Sequence, residues 1–166
     1  MNFELIKNER LSGRMASVYE VFLEGEPDSI FDQFLATYKG THREQVISIL
    51  DRLESIGHDY GARPDFFKEK EGKYGDLVEA LYDTPKKSLR LFCMRFGRDC
   101  VILGGGGPKP PGTRAWQDNA NLNYQGNLMI QVAEMVHKAF KDGEWKWTAD
   151  FKDMKGALEF KTDEDE

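Results

Sequence analysis

Three short apolar segments follow one another between residues 77 and 103, and they constrain the fold more than any other feature of the chain. They cover residues 77–81, 89–96 and 101–103. The connectors between them, residues 84–87 and 97–99, have turn chemistry. Consecutive strands with short connectors form an antiparallel meander. The second and third segments are almost continuously apolar, which predicts strands at the centre of a sheet, buried on both faces.

Helical periodicity predicts three helices around this meander. The first begins at Asp28 or Ser29 and ends near Tyr38, the second covers residues 41–57, and the third covers about 122–141. Thr41 and Glu44 have the spacing of a capping box at the start of the second helix. So few residues join the first two helices that we expect them to pack as an antiparallel hairpin.

Both ends of the chain have the alternating pattern of short strands. Residues 1–24 predict a strand pair, residues 144–161 predict a hairpin, and residues 162–166 are an acidic tail. We therefore predict an α+β fold, with a helical hairpin packed on a small antiparallel sheet and extra β-hairpins at the N- and C-termini. A length of 166 residues predicts one domain over residues 1–161, with a core at about 28–141.

The compartment is predicted from what the sequence lacks. No apolar run approaches the ~20 residues that cross a bilayer. The first residues do not combine a basic region with an apolar stretch, so we expect no signal peptide and a cytoplasmic protein. In a reducing cytosol, Cys93 and Cys100 are expected to be free thiols.

Positive charge is concentrated in one part of an acidic chain. The net charge is −6, yet residues 86–114 carry +6, so the remainder carries −12. This distribution favours a localised anion site over a broad nucleic-acid surface. The alternative is that these residues only solvate strand ends and turns. The basic residues are Lys86, Lys87, Arg90, Arg95, Arg98, Lys109 and Arg114.

Arg90 is notable because it interrupts an apolar strand. A charge in such a strand must be paired or face a cleft, since burying it alone is costly. One interpretation is a buried pair with Glu79 on the neighbouring strand, and the other is that Arg90 faces a phosphate.

Residues 104–112 form a glycine- and proline-rich segment that we expect to be irregular. They do not match a phosphate-binding loop, because Lys109 is followed by Pro110 instead of Ser or Thr. A glycine-rich strand exit, where another backbone approaches closely, is the preferred interpretation.

Four motifs together resemble the RelE/HigB-type toxins of bacterial toxin–antitoxin pairs. They are residues 75–81 (GDLVEAL), residues 89–92 (LRLF), residues 100–104 (CVILG) and Lys109. The family pattern is a strand with a glutamate, a strand with an arginine before a phenylalanine, an apolar strand and a lysine-bearing loop. A helix pair precedes that sheet and a helix follows the loop. The resemblance covers roughly residues 28–140.

This resemblance implies a RelE-like fold and a metal-independent endoribonuclease without a cofactor. Such toxins cleave mRNA, commonly in the ribosomal A site, by attack of a 2′-hydroxyl on the adjacent phosphate, and an antitoxin protein neutralises them. By position, Arg90 would hold the scissile phosphate and Lys109 would lie in the loop above it, as the catalytic residues. Substrate-binding roles would belong to Lys86, Lys87, Arg95, Arg98 and Arg114.

Three differences from the family pattern leave a second interpretation open. Leu81 stands where the family often has an arginine, and residues 104–112 replace its lysine-rich loop. The family's toxins are also usually shorter and basic, whereas this acidic chain has predicted extra strands at both ends and an acidic tail. The chain could therefore be a catalytically inactive RelE-fold module that binds a protein or a nucleic acid.

Overall fold

The computed structural model describes residues 1–68, 77–109, 119–156 and 158–161. These residues form three α-helices and a mostly antiparallel sheet, which confirms the predicted α+β class. In chain order the elements are β1 (Phe3–Lys7), β2 (Ser17–Leu23), α1 (Ile30–Tyr38), α2 (Arg43–Ser55), β3 (Phe67–Lys68), β4 (Glu79–Tyr82), β5 (Leu89–Phe96), β6 (Cys100–Pro108), α3 (Ala120–Lys141), β7 (Lys146–Trp147), β8 (Met154–Lys155) and β9 (Glu159–Phe160).

The main sheet has seven strands among the described residues, in the order β3-β4-β5-β6-β2-β1-β9. The predicted meander of β4, β5 and β6 is confirmed, and β5 and β6 are interior strands. The sheet is larger than predicted because the N-terminal strand pair is not an appended hairpin. Instead, β2 pairs in parallel with β6, from Ser17 opposite Cys100 to Glu20 opposite Leu103.

Each face of the sheet has its own hydrophobic core, and the alternation along β5 explains the division. Phe92 and Met94 point into a core shared with α3. Leu91 and Cys93 point into a core shared with α2 and part of α1. The helices therefore lie on a sheet whose central strands are apolar on both sides, as their composition predicts.

The first two helices are confirmed, but the predicted capping box is wrong. The N-cap of α2 is His42, whose ring Nδ1 is 2.8 Å from the Thr41 hydroxyl, and no side chain caps the helix. In α1, Ser29 is the cap, and its Oγ accepts from the amide of Asp32 at 2.9 Å. The same hydroxyl donates to buried Glu20 at 2.7 Å, which ties the start of α1 to β2.

The glycine run is part of a strand, so the prediction of irregular structure from residue 104 is wrong as far as Pro108. The preferred alternative, a glycine-rich strand that another backbone approaches closely, is confirmed. A Cβ on Gly106 would overlap the carbonyl oxygen of Arg90 on β5. Because β2 pairs with β6 only as far as Leu103, α1 lies against the glycine segment that follows.

The C-terminal segment forms a hairpin, but with pairing that differs from the prediction. Trp147 on β7 is opposite Met154 on β8, in a separate two-stranded sheet. The last strand, β9, pairs with β1 instead, and Phe160 stacks on Phe3 at 4.6 Å between ring centroids. β9 is therefore an edge strand of the main sheet.

The cysteines are both free and buried, as predicted. They are not opposite each other, because Cys93 pairs with Leu103 and Cys100 pairs with Phe96. Burial raises the pKa of both thiols, which keeps them protonated and unreactive. Among the described helices, none is long and apolar enough to cross a membrane.

Asp153 anchors the C-terminal segment to the sheet, and its removal should release that segment. Its Oδ1 accepts from Ser17 at 3.0 Å and from Tyr19 at 2.9 Å, and Lys7 lies 3.1 Å away. We expect Asp153→Ala to lower the free energy of unfolding by ~1–3 kcal/mol, because it removes hydrogen bonds to a charged group. Trp145 and Trp147 are two of the three tryptophans of the chain. Tryptophan fluorescence should therefore shift to longer wavelength, whereas Asp51→Ala, on the exposed face of α2, should leave it unchanged.

The same anchor should weaken in acid. Partial burial raises the pKa of Asp153, but hydrogen bonds from Tyr19, Lys7 and Ser17 outweigh it, so the pKa is lowered from its ordinary value of 3.8. A carboxylate with a lowered pKa contributes stability above the ordinary value and loses it as the pH falls through the folded value. Below about pH 3.8 the fluorescence of the wild type should approach that of Asp153→Ala, and an unchanged gap at low pH would contradict this role.

Candidate anion-binding site

A cavity of about 660 Å³ opens at the end of the sheet where β4 ends, β5 begins and β6 ends. Its lining includes five cationic side chains and one carboxylate. It also includes three aromatic rings, so the wall combines positive charge with apolar surface. The lining residues are Arg52, Asp65, Phe66, Phe67, Lys68, Tyr82, Thr84, Lys87, Arg90 and Lys109.

The strand register brings three of these cations to one face. Arg90 is opposite Tyr82 on β4 and opposite Gly107 on β6. Lys109 follows Gly107 by two residues, and its amide continues the ladder by donating to Ser88 at 2.7 Å. Lys68 is opposite Ala80, two residues before Tyr82. Because paired residues and residues two apart share a face, Lys68, Arg90 and Lys109 project to the same side.

Arg90 is the most buried of the cavity's cations, with only 2% of its surface exposed. Its guanidinium carbon lies 5.2 Å from the centroid of the Tyr82 ring, within the range of a cation–π contact. Burial lowers the pKa of Arg90 and raises the pKa of Tyr82 to about 12. At neutral pH the cavity therefore holds a charged guanidinium beside a neutral phenol that can donate a hydrogen bond.

The positive charges in the cavity repel one another. Burial and the charge of Arg90 lower the pKa of Lys68. Burial, Arg90 and Lys68 lower the pKa of Lys109. Charge effects of this kind require cations that are close together. A bound anion would relieve the repulsion, which is the electrostatic condition of an anion site.

One wall of the cavity is aromatic, and the carboxylate in its described lining pairs with an arginine. The Phe66 ring has the guanidinium carbon of Arg52 at 4.2 Å and that of Arg63 at 5.2 Å. Arg63 also forms two hydrogen bonds with Asp65, at 3.0 and 3.1 Å. Asp65 therefore pairs with Arg63, which lies outside the described lining.

The predicted buried pair between Glu79 and Arg90 is wrong. Glu79 accepts two hydrogen bonds from Arg95, at 2.9 and 3.1 Å. The register explains this choice, because Glu79 is opposite Cys93 and its diagonal neighbour on β5 is Arg95. Arg90 is opposite Tyr82, at the other end of β4, and it lines the cavity.

A double-mutant cycle should distinguish the two pairings. We expect Glu79→Gln and Arg95→Gln to be coupled by ~1–3 kcal/mol, because each leaves a half-buried charge without its two hydrogen bonds. Glu79→Gln and Arg90→Met should be additive within about 0.5 kcal/mol. Chemical denaturation of the wild type, the three single variants and the two double variants provides the measurement. Strong coupling between Glu79 and Arg90 would contradict the observed register.

The structure brings together some of the predicted site residues and separates others. Lys87, Arg90 and Lys109 line the cavity. Lys86 is exposed beside Lys87 but does not line it. Two of the remaining residues are elsewhere: Arg95 binds Glu79, and Arg98 is exposed in the turn at the opposite end of the β5–β6 hairpin. Arg114 and the acidic tail 162–166 lie outside the described residues.

Sequence reasoning did not identify the other seven described residues of the lining, which are Arg52, Asp65, Phe66, Phe67, Lys68, Tyr82 and Thr84. Arg52 and Lys68 are the cations among them. Arg52 is on the polar side of α2, and Lys68 begins a charged run that is typical of a solvated turn. Neither has a local signal for a site. Only the pairing of β3 with β4 and the packing of α2 bring them beside Arg90.

A scan against protein-family models, a search of the curated proteins and a search of the solved structures each found no match to this chain. Within the described ranges, no three His, Cys, Asp or Glu side chains form a group that could hold a metal ion. The chemistry available at the site is that of clustered cations, a phenol and aromatic rings.

Proposed function

We propose that this chain is a toxin-like, metal-independent endoribonuclease whose cationic cavity holds the phosphodiester backbone of RNA. The observation that carries the proposal is the convergence of Lys87, Arg90 and Lys109 with Lys68 and Arg52 in one cavity. Arg90 and Lys109 are also the two residues that the motif resemblance selects as catalytic. Aromatic surface beside the cations suits a single-stranded substrate, because bases stack on such rings.

The proposed reaction is an attack by a ribose 2′-hydroxyl on the adjacent phosphate. The 2′-oxygen forms a bond to phosphorus, the bond to the 5′-oxygen breaks, and the products are a 2′,3′-cyclic phosphate and a 5′-hydroxyl. The 2′-hydroxyl loses its proton to water and the 5′-oxygen gains one. Arg90 stabilises the negative charge that develops on the phosphoryl oxygens. Lys109 or Lys68, whose pKa is lowered, donates a proton to the departing oxygen.

The natural substrate and partner in this proposal are those of a toxin–antitoxin pair. The RNA is mRNA, cleaved on the ribosome, and an antitoxin protein neutralises the activity. An antitoxin could act by placing carboxylates in the cavity, since Lys68, Arg90 and Lys109 attract any anion of suitable shape.

Leu81 favours a second function on the same scaffold. Its side chain is completely buried in the core shared with α2, opposite Phe67 and Leu91. The position at which many of the resembled toxins have an arginine therefore adds no charge to the cavity. A catalytically inactive module would bind RNA or an acidic protein through the same cations without cleaving it.

One experiment separates these functions. The purified chain is incubated with end-labelled single-stranded RNA in the presence of EDTA, and the products are examined for a 2′,3′-cyclic phosphate. In parallel, expression is induced in a bacterial host while growth and transcript integrity are followed. Cleavage in EDTA with growth arrest supports the nuclease. Binding without cleavage and with normal growth supports the inactive module, and the absence of both binding and cleavage overturns both proposals.

A further inference from the structure

A second, smaller cleft lies beside the cationic cavity, between α1, α3 and the glycine segment of β6. Its volume is about 130 Å³, enough for about four water molecules at roughly 30 Å³ each. The cleft is polar, yet none of the described residues that line it is charged. The side chains that carry its polarity are Gln33, Thr37, Tyr38, Asn121 and Gln125.

The glycines of β6 make this cleft possible. A Cβ on Gly105 would overlap the Gln125 side chain, and a Cβ on Gly107 would overlap that of Asn121. Since β2 stops pairing at Leu103, the cleft also lies along a part of β6 that has no strand on that side. The glycines therefore let the Gln125 and Asn121 side chains lie against the strand, where both line the cleft.

Gly107 lies in the chain between the glycines that line the cleft and Lys109 of the cationic cavity. It is paired with Arg90 on β5, and a Cβ there would also meet the Tyr38 hydroxyl at 2.9 Å. From Gly105 and Gly106 to Lys109 is three to four residues, or about 10–13 Å at ~3.3 Å per residue. A nucleotide can span this separation with its base at one end and a phosphate at the other.

The hydrogen bonds in the cleft are incomplete. Asn121 donates to the Tyr38 hydroxyl at 3.2 Å and to the carbonyl of Gly106 at 3.3 Å. Burial raises the pKa of Tyr38, so its own proton is retained and can be donated. The buried Oε1 of Gln125 has no hydrogen-bond partner among the residues that the structure describes. The terminal torsion of glutamine is broad, so a small rotation presents this oxygen to the cleft.

We propose that this cleft is a nucleobase subsite. The edge of a base carries an acceptor beside a donor, which matches the proton of Tyr38 and the acceptor oxygen of Gln125. The uncharged lining suits a neutral base, whereas the phosphate of the same nucleotide lies in the cavity with Arg90 and Lys109. The subsite rests on the proposed RNA binding, and it adds a site that selects among bases.

Calorimetric titrations of the full chain test this subsite. The ligands are ribose 5-phosphate and the four nucleoside 5′-monophosphates. We expect at least one nucleotide to bind about tenfold more tightly than ribose 5-phosphate, the gain of one to two hydrogen bonds. Gln125→Leu and Tyr38→Phe should each remove about fivefold of that gain and leave the affinity for ribose 5-phosphate unchanged. The matched control is Gln131→Leu, on the exposed part of α3, which should bind like the wild type.

The outcomes separate the subsite from the proposed function. Equal affinity for ribose 5-phosphate and all four nucleotides overturns the subsite but leaves phosphate binding intact. Selective binding of a nucleotide that Gln125→Leu and Tyr38→Phe do not weaken places the base elsewhere and also overturns it. If no ligand binds, both the subsite and the RNA-binding proposal are wrong. A fourth outcome is that free nucleosides bind, that Gln125→Leu weakens their binding, and that ribose 5-phosphate does not bind. This result supports the subsite and overturns the proposal that the cavity binds phosphate.

Discussion

Replacement of Arg90 by methionine is expected to reduce RNA cleavage by roughly 10²–10³-fold, the usual cost of removing one donor to a developing oxyanion. Arg90 is almost completely buried and lines the cavity with four other cations, so its guanidinium adds to the positive field in which the proposed function places the phosphate. Methionine retains the apolar stem that packs in the sheet and removes only the charged fork. Single-turnover cleavage of labelled RNA measures the effect, and growth after induction should recover in parallel.

The control for Arg90→Met is Arg98→Met. Both residues belong to the β5–β6 hairpin, but Arg98 is exposed in the turn at the end farthest from the cavity. The Arg98→Met variant should therefore retain full activity. The activity of Arg90→Lys should lie between those of Arg90→Met and Arg98→Met, because lysine keeps the charge but cannot form the forked contact with a phosphate. Equal activity of Arg90→Met and the wild type, at an unchanged melting temperature, would remove Arg90 from the catalytic site.

The largest loss of stability is expected from Gly106→Ala. A Cβ at this position would overlap the carbonyl oxygen of Arg90, which is main chain and cannot rotate away as a side chain can. Relief requires β5 and β6 to separate at the centre of the sheet. We expect a loss of at least about 3 kcal/mol, the upper part of the range for overpacked cores. For a chain of this size that corresponds to a fall in melting temperature of about 6–12 °C.

Gly40→Ala provides the matched substitution. A Cβ on Gly40 meets nothing within 4 Å, so the same added methyl group should change the melting temperature little. A melting temperature for Gly106→Ala within a degree or two of the wild type would mean that β6 can shift at this point. The pairing of Gly106 with Leu91 would then be looser than the structure indicates.

The elements of secondary structure could largely be predicted because their signals are local. The apolar stripe of α2 has a period that a helix alone satisfies, and the predicted strand at residues 89–96 matches β5. The glycine run was the exception. Glycine has little intrinsic preference for a strand, and this segment is extended because it continues the pairing with β5. The carbonyl of Arg90 approaches Gly106 too closely for a side chain there.

Some features of the candidate site could also be predicted from the sequence, and others could not. Its central residue was predictable, because an arginine in an apolar strand must be paired or face a cleft, and Lys109 was selected by its resemblance to a toxin motif. The identity of the partner of Glu79 was not predictable. Arg90 and Arg95 are both on β5, and only the register of β4 against β5 decides that Glu79 binds Arg95.

The sequence by itself determined the α+β class, the helices, the central meander and a concentration of cations within an acidic chain. Only the tertiary structure decided which cations share a cavity. It excluded Arg95 and Arg98, and it added Arg52 and Lys68 from elements that carry no local signal. The physical reason is the distance along the chain over which each signal acts. Periodicity and turn chemistry act over a few residues. Core packing and strand register act between segments far apart in the chain, and they bring together the charges of α2, β3, β5 and the end of β6.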